Sequence, residues 1–147
     1  MYKSGTTRLV DLIERDAEHL TKRWQEIVSS HDDTPSYHKC DQQCLHDRGF
    51  RLYSQLGKWL SKETTKEDIA KLYRELGAER KKDGFKFSEI VESFIVTRRV
   101  LWSKIESEGL LDTALDLNQA IALNDQAIVF FDRALFYTAQ GYESVTD

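Results

Sequence analysis

Residues 111–142 read LDTALDLNQAIALNDQAIVFFDRALFYTAQGY, with no proline and a single glycine close to the end. Side chains three and four apart share one face of a helix, and two apolar rows run along this stretch at that spacing. One row is Leu117, Ile121, Ile128, Phe131, Leu135 and Tyr142; the other is Ala120, Leu123, Ala127, Phe130, Ala134 and Tyr137. A helix apolar over so much of its circumference must be covered on more than one side. It is either the central helix of a bundle, or a helix whose second row, Ala120 to Tyr137, is a dimer interface. Packing rules leave both open.

The rest of the chain supports the helical reading. Pro35 is the only proline in 147 residues, so little interrupts the periodic segments. Leu9, Leu12, Ile13, Ala17, Leu20, Trp24, Ile27 and Val28 predict an amphipathic helix over 7–29, followed by a polar break from His31 to Ser36. Asp41 is a suitable N-cap for a second helix reaching Leu60, with Leu45, Phe50, Tyr53, Leu56, Trp59 and Leu60 on its apolar face. Thr64 and Thr65 stand three residues before Glu67 and Asp68, the pattern of a capping box, and start a third helix. That helix stops at Gly84, with Arg80, Lys81 and Lys82 in its last turn, where the dipole favours cations. A strongly apolar fourth helix runs from Phe87 to Gly109. The expected fold is all-α, one domain over 1–147 forming a single five-helix bundle with a long central C-terminal helix.

Composition excludes several functions. The 40% hydrophobic and 31% charged content is that of a soluble globular chain, and no apolar run is long enough to span a bilayer. Asp11, Glu14 and Arg15 interrupt the N-terminal segment before it could serve as a secretion signal, so a cytoplasmic protein is expected. A net charge of −4 argues against a nucleic-acid partner, and the basic run Arg80 to Lys82 is short. No nucleophile elbow, zinc-protease motif or phosphate-binding glycine loop is present, so no enzyme and no catalytic residue is expected. No cofactor is expected either: none of His19, His31, His38 and His46 lies in the two most apolar helices, where a buried haem ligand would be best placed.

Two clusters invite chemistry. His38, Cys40, Cys44 and His46 supply soft metal ligands, but all within nine residues at one helix start, whereas zinc sites more often gather ligands from separated segments. Ordinary helix-start residues are the simpler reading, with metal binding or thiol oxidation the sharper one. Arg98 and Arg99 interrupt the apolar fourth helix, and Arg98 follows Phe94 and Ile95 on what reads as the inward side. A half-buried guanidinium needs an anionic partner: an internal acid such as Asp132 or Glu75, or an anionic ligand. Asn124, the amide in the first row of the last helix, is either a register-fixing polar residue or a ligand contact. Trp24, Trp59 and Trp102 read as core.

Three further stretches carry a resemblance: Tyr53-Ser-Gln-Leu-Gly-Lys-Trp-Leu60, Leu76-Gly-Ala-Glu-Arg-Lys-Lys-Asp-Gly-Phe85 and Phe87-Ser-Glu-Ile-Val91. With Thr97-Arg-Arg-Val-Leu-Trp102, Glu108-Gly-Leu-Leu-Asp112, Phe130-Phe-Asp-Arg-Ala134 and Gly141-Tyr-Glu143, they resemble the N-terminal domain of the RsbRD-type RsbT co-antagonists, the bacterial stressosome sensors. The likeness covers most of the chain and rests on diffuse helix patterns. It implies a sensory or regulatory input domain of globin-like helical form that pairs as a dimer without haem. The family's best-described architecture adds a STAS output domain, which residues up to Asp147 do not include, so phosphorylation-based signalling is not carried over.

The expected function is therefore a cytoplasmic signal-transduction module working through a small-molecule ligand, a homodimer or a signalling protein partner. Arg98, Trp102, Asn124 and Phe131 are the expected ligand contacts. A ligand-free dimerisation or adaptor bundle is the alternative, and a metal or thiol protein centred on Cys40 and Cys44 a more distant one.

Overall fold

The computed structural model describes residues 5–109 and 113–146, with side chains from Val10 onward except that of Leu123. Among these residues there are five α-helices and no strand: α1 Gly5–Val28, α2 Gln42–Leu60, α3 Lys66–Lys82, α4 Phe87–Ser107 and α5 Ala114–Glu143. Leu9 and Leu123, counted above among the apolar positions, lie outside the described side chains.

Local chemistry sets the helix ends. The Asp41 carboxylate accepts from the Cys44 N–H at 2.8 Å and starts α2, while the Thr65 and Thr113 hydroxyls do the same for α3 and α5. At the end of α3 the Phe85 N–H bonds to the Arg80 carbonyl and the Gly84 N–H to that of Lys81, with Gly84 at φ 84°. These two bonds form a Schellman motif, which turns the chain back on the helix it has just left. The polar break between α1 and α2 holds a 3-10 turn, Pro35–Lys39, that the sequence reading missed. Its Tyr37 is buried.

All five helices contribute to one core, which includes Leu12, Trp24, Tyr53, Tyr73, Phe94 and Phe130. Each fully buried aliphatic or phenyl side chain there contributes about 1.5–3 kcal/mol. The most extensive helix pairing is α3 on α5, followed by α1 on α2. Gly77 and Gly141 bring α3 and α5 into backbone contact: a Cβ at Gly77 would overlap the Thr138 carbonyl oxygen, and one at Gly141 that of Arg74.

Three expectations about helix faces are corrected. The row Ala120, Ala127, Phe130, Ala134 and Tyr137 is buried in the chain's own core, so it is spent within the monomer and not presented to a partner. Exposed instead are Leu115, Leu117, Ile121, Ile128, Val129 and Phe136, on the outward side of α5. Phe50 and Trp102, read as core, are each 39% exposed; Leu52 takes the inward place on α2, and Trp59 is half-buried with its indole N–H bonded to the Gln126 carbonyl. No helix among the described residues is long and apolar enough to cross a membrane.

Candidate functional site

The four side chains expected to bind a ligand do not converge. Arg98 is exposed and makes no ion pair among the described residues, with neither Asp132 nor Glu75 as partner. Trp102 also faces outward, Asn124 is half-buried, and Phe131 packs on Phe130 inside the core at 5.4 Å between ring centroids.

The buried guanidinium is a different one. Arg80, read from the sequence as one of three cations in the last turn of α3, is only 6% exposed. The Schellman turn explains this. It brings Phe85 back over the last turn of α3, and the Arg80 guanidinium carbon lies 5.8 Å from the Phe85 ring centroid. Arg48, from α2, reaches the same ring at 5.4 Å. Tyr37, carried by the 3-10 turn, meets the Phe85 ring edge-on at 4.9 Å. Thus α2, α3, the turn before α2 and the turn after α3 meet at one phenyl ring.

Charge at this junction is poorly balanced. The nearest carboxylate to Arg80 is that of Glu79, 3.9 Å away on a largely exposed side chain, and the nearest to Arg48 is that of Asp83, also at 3.9 Å. Both separations exceed hydrogen-bond length. One Arg48 N–H instead donates to Cys40 Sγ at 3.1 Å. Burial first, and then the repulsion of Arg48, pull the Arg80 guanidinium below its ordinary pKa, only partly countered by Tyr37, Glu79 and Asp83. A buried guanidinium without a bonded anion is costly, on the order of several kcal/mol after relaxation.

Next to the arginines lies a fully bonded polar layer. The Tyr37 hydroxyl contacts Ser93 Oγ at 3.1 Å, Ser93 Oγ donates to the Ile90 carbonyl, and the Trp24 indole N–H donates to the Ser93 carbonyl at 3.1 Å. Glu89 is buried in the first turn of α4 and accepts from the Ser36 N–H and hydroxyl, each at 2.6 Å, and from the Lys86 N–H at 3.1 Å. Burial pushes its carboxyl up, but these bonds, led by those from Ser36, outweigh it and hold Glu89 below the usual carboxylate range. Glu89 thereby pins the 3-10 turn to α4, while Cys40, which closes that turn, accepts from Arg48.

The candidate metal ligands diverge. His46 Nε2 pairs with the Glu18 carboxylate at 2.8 Å, His38 Nε2 contacts the His31 carbonyl, and Cys40 faces Arg48. A separate group, His31, Asp33 and Glu92, brings its ligand atoms close together, but His31 Nδ1 already accepts from the Asp33 N–H at 3.0 Å.

The architecture is that of a helical bundle enclosing a polar junction. A family model described as histidine kinase N terminal matches residues 6–144. That is nearly the whole chain, and at this level it agrees with the expected class, a sensory input domain of signal transduction. The chain belongs to the histidine kinase N-terminal family. No curated protein and no solved structure matches it.

Proposed function

We propose that this chain is a non-catalytic, cytoplasmic input domain whose signal is a molecule bearing an anionic group, a carboxylate or a phosphate, held by Arg80 and Arg48. One observation carries the reading: Arg80 is 6% exposed and has no hydrogen bond to a carboxylate among the described residues. An oxyanion between two guanidiniums would supply the missing charge-assisted bonds, and the planar fork of arginine suits such a group. Because Tyr37 and Phe85 wall the same junction, occupancy would bias how the 3-10 turn packs against α3 and α4. An effector with different affinity for two such packings shifts their populations. An RsbRD-type mode of action, with an output partner reading that shift, is the finer part of the proposal.

Thermal and urea unfolding of the wild type and Arg80→Met, with and without inorganic phosphate or acetate at constant ionic strength, tests this. Wild type should gain stability with the anion as RT ln(1 + [L]/Kd), about 2.7 kcal/mol at a hundredfold excess over Kd. Arg80→Met should gain nothing and, without anion, should be as stable as wild type or more so by ~1 kcal/mol or more, having lost a buried unpaired charge. Equal anion responses in the two proteins would overturn the reading.

A second reading, pairing of two copies, is favoured by the outward face of α5, where Ile121 is 54% and Phe136 48% exposed. Apolar faces of this kind commonly mark interaction sites. If copies pair there, light scattering should show a dimer for wild type and a monomer for the Ile121→Glu, Phe136→Glu double variant. An unchanged mass would remove this face from consideration.

A further inference from the structure

Two polar links join α1 to α2 along the outer edge of their packed faces. Gln25 Nε2 on α1 donates to the carbonyl and to Oε1 of Gln42, and His46 Nε2 on α2 lies 2.8 and 2.9 Å from the two carboxylate oxygens of Glu18. Of these two links the second can titrate. The other ring nitrogen, His46 Nδ1, is closed off from solvent without a hydrogen bond among the described residues, and Asp47 Oδ1 stands 3.6 Å from it. That carboxylate is itself positioned by Gln43 Nε2 at 2.9 Å. The imidazole also lies parallel to the Phe50 ring one turn on, 5.7 Å between centroids and 13° between planes, which gives the exposed Phe50 a role in holding the ring. A neutral imidazole has one N–H and one bare lone pair. If Nε2 carries the proton, the Nδ1 lone pair faces Asp47; if Nδ1 carries it, the Nε2 lone pair faces both oxygens of Glu18. Neither neutral tautomer suits both acids, whereas the imidazolium donates towards both.

We propose that His46 is a proton-operated clasp: protonated, it ties Glu18 of α1 to α2 with Asp47 on its other side, and losing the proton loosens the two helices at this point. The charged groups facing the ring are Glu18 across the interface and Asp47 on its own helix. Glu14 and Lys22, one turn to either side of Glu18 and opposite in charge, form no ion pair among the described residues. The bond to Glu18, opposed by burial and aided by the charge of Glu18 and by Asp47, raises the imidazole above its ordinary 6.5. A group raised in the folded state contributes fully below its unfolded value, and that contribution is lost as pH rises through the folded midpoint. The clasp therefore holds in mild acid and releases towards alkaline pH, in the range where histidine serves as a switch. Glu18 and Asp47 are 57% and 63% exposed, so solvent screens both and the effect falls on local opening of the α1–α2 pair more than on global unfolding.

The test is a pH titration of the full chain by NMR, following the imidazole resonances together with amide hydrogen exchange corrected for its intrinsic pH dependence. In the wild type the His46 midpoint should lie above 6.5, and Glu18→Gln should bring it down. Amides on the facing sides of α1 and α2 should open about two- to fivefold more often above the midpoint than below it, the factor an exposed ion pair supplies. His46→Gln should show the more open level throughout, with no step. A wild-type His46 midpoint at or below 6.5, a midpoint unmoved in Glu18→Gln, or α1–α2 protection without a step across the midpoint would each overturn the proposal. The first and third of these are read on the wild type, so they stand whether or not a variant folds. None of the readouts involves Arg80 or an added anion, so failure here is distinct from failure of the anion-binding reading.

Discussion

Tyr73 is wholly enclosed among Phe94 and Phe130, and its hydroxyl finds no hydrogen-bond partner among the described residues. A buried unsatisfied hydroxyl is a liability of about 1–3 kcal/mol. Tyr73→Phe should therefore raise the free energy of unfolding by ~1 kcal/mol in urea titrations. Glu89 predicts the opposite. Its three accepted bonds go to a carboxylate, so Glu89→Gln should cost about 1.5–3 kcal/mol at neutral pH. The sign with pH follows from its lowered folded-state pKa, against an ordinary value of 4.5. The unfolded chain binds the proton first, so the stabilisation is present above that value and is lost as pH falls through the folded pKa. The wild type should thus lose stability on acidification more steeply than Glu89→Gln, as followed by urea midpoints between pH 6 and 3. At single residues the sequence misled in an instructive way. The inward arc of α4 is centred on Ser93 and Thr97, both buried, with Ser93 donating to the Ile90 carbonyl and Thr97 to that of Ser93. Hydroxyls satisfied by their own helix are buried as readily as apolar groups. Reading only the apolar letters rotated the face far enough to bring Arg98 inside. Arg80 was missed for the converse reason: a cation in a last turn is ordinarily solvated, and only the return of Phe85 encloses it.

Helix boundaries were legible because caps are short-range chemistry. Asp41, Thr65 and Gly84 were each identified from their neighbours, and each makes the expected bond or adopts the expected backbone. Which row of α5 faces inward was not legible from apolarity, since both rows are apolar. Size carried the missing signal: Ala120, Ala127, Ala134 and Gly141 recur every seven residues, and small side chains let another helix approach. That approach is closest where Gly77 and Gly141 put α3 and α5 in backbone contact. Gly77→Ala gains a little in helix propensity, about 1 kcal/mol, but must push α5 away to clear the Thr138 carbonyl. We expect a net loss of ~2–3 kcal/mol or more and a visibly lower Tm. A variant as stable as wild type would mean that the two helices can separate without penalty.

For the molecule as a whole, the all-helical class and the signalling role could be read from periodicity and resemblance, and the match to the histidine kinase N-terminal family over residues 6–144 agrees with both. The anionic-ligand idea also arose from the sequence, attached to Arg98, which the fold leaves exposed. A junction built from α2, α3 and two turns depends on contacts between segments far apart in the chain, such as Tyr37 with Phe85 and Trp24 with Ser93, and no local pattern encodes those. The measurement that goes to the centre of the account is a phosphate titration followed through the arginine side-chain Nε–H resonances in heteronuclear NMR. The Arg80 and Arg48 signals should shift together and saturate, while those of the exposed Arg98 and Arg99 stay nearly still. If all four drift weakly without saturation, or Arg80 alone is silent, the junction does not take an anionic group and the proposed function fails.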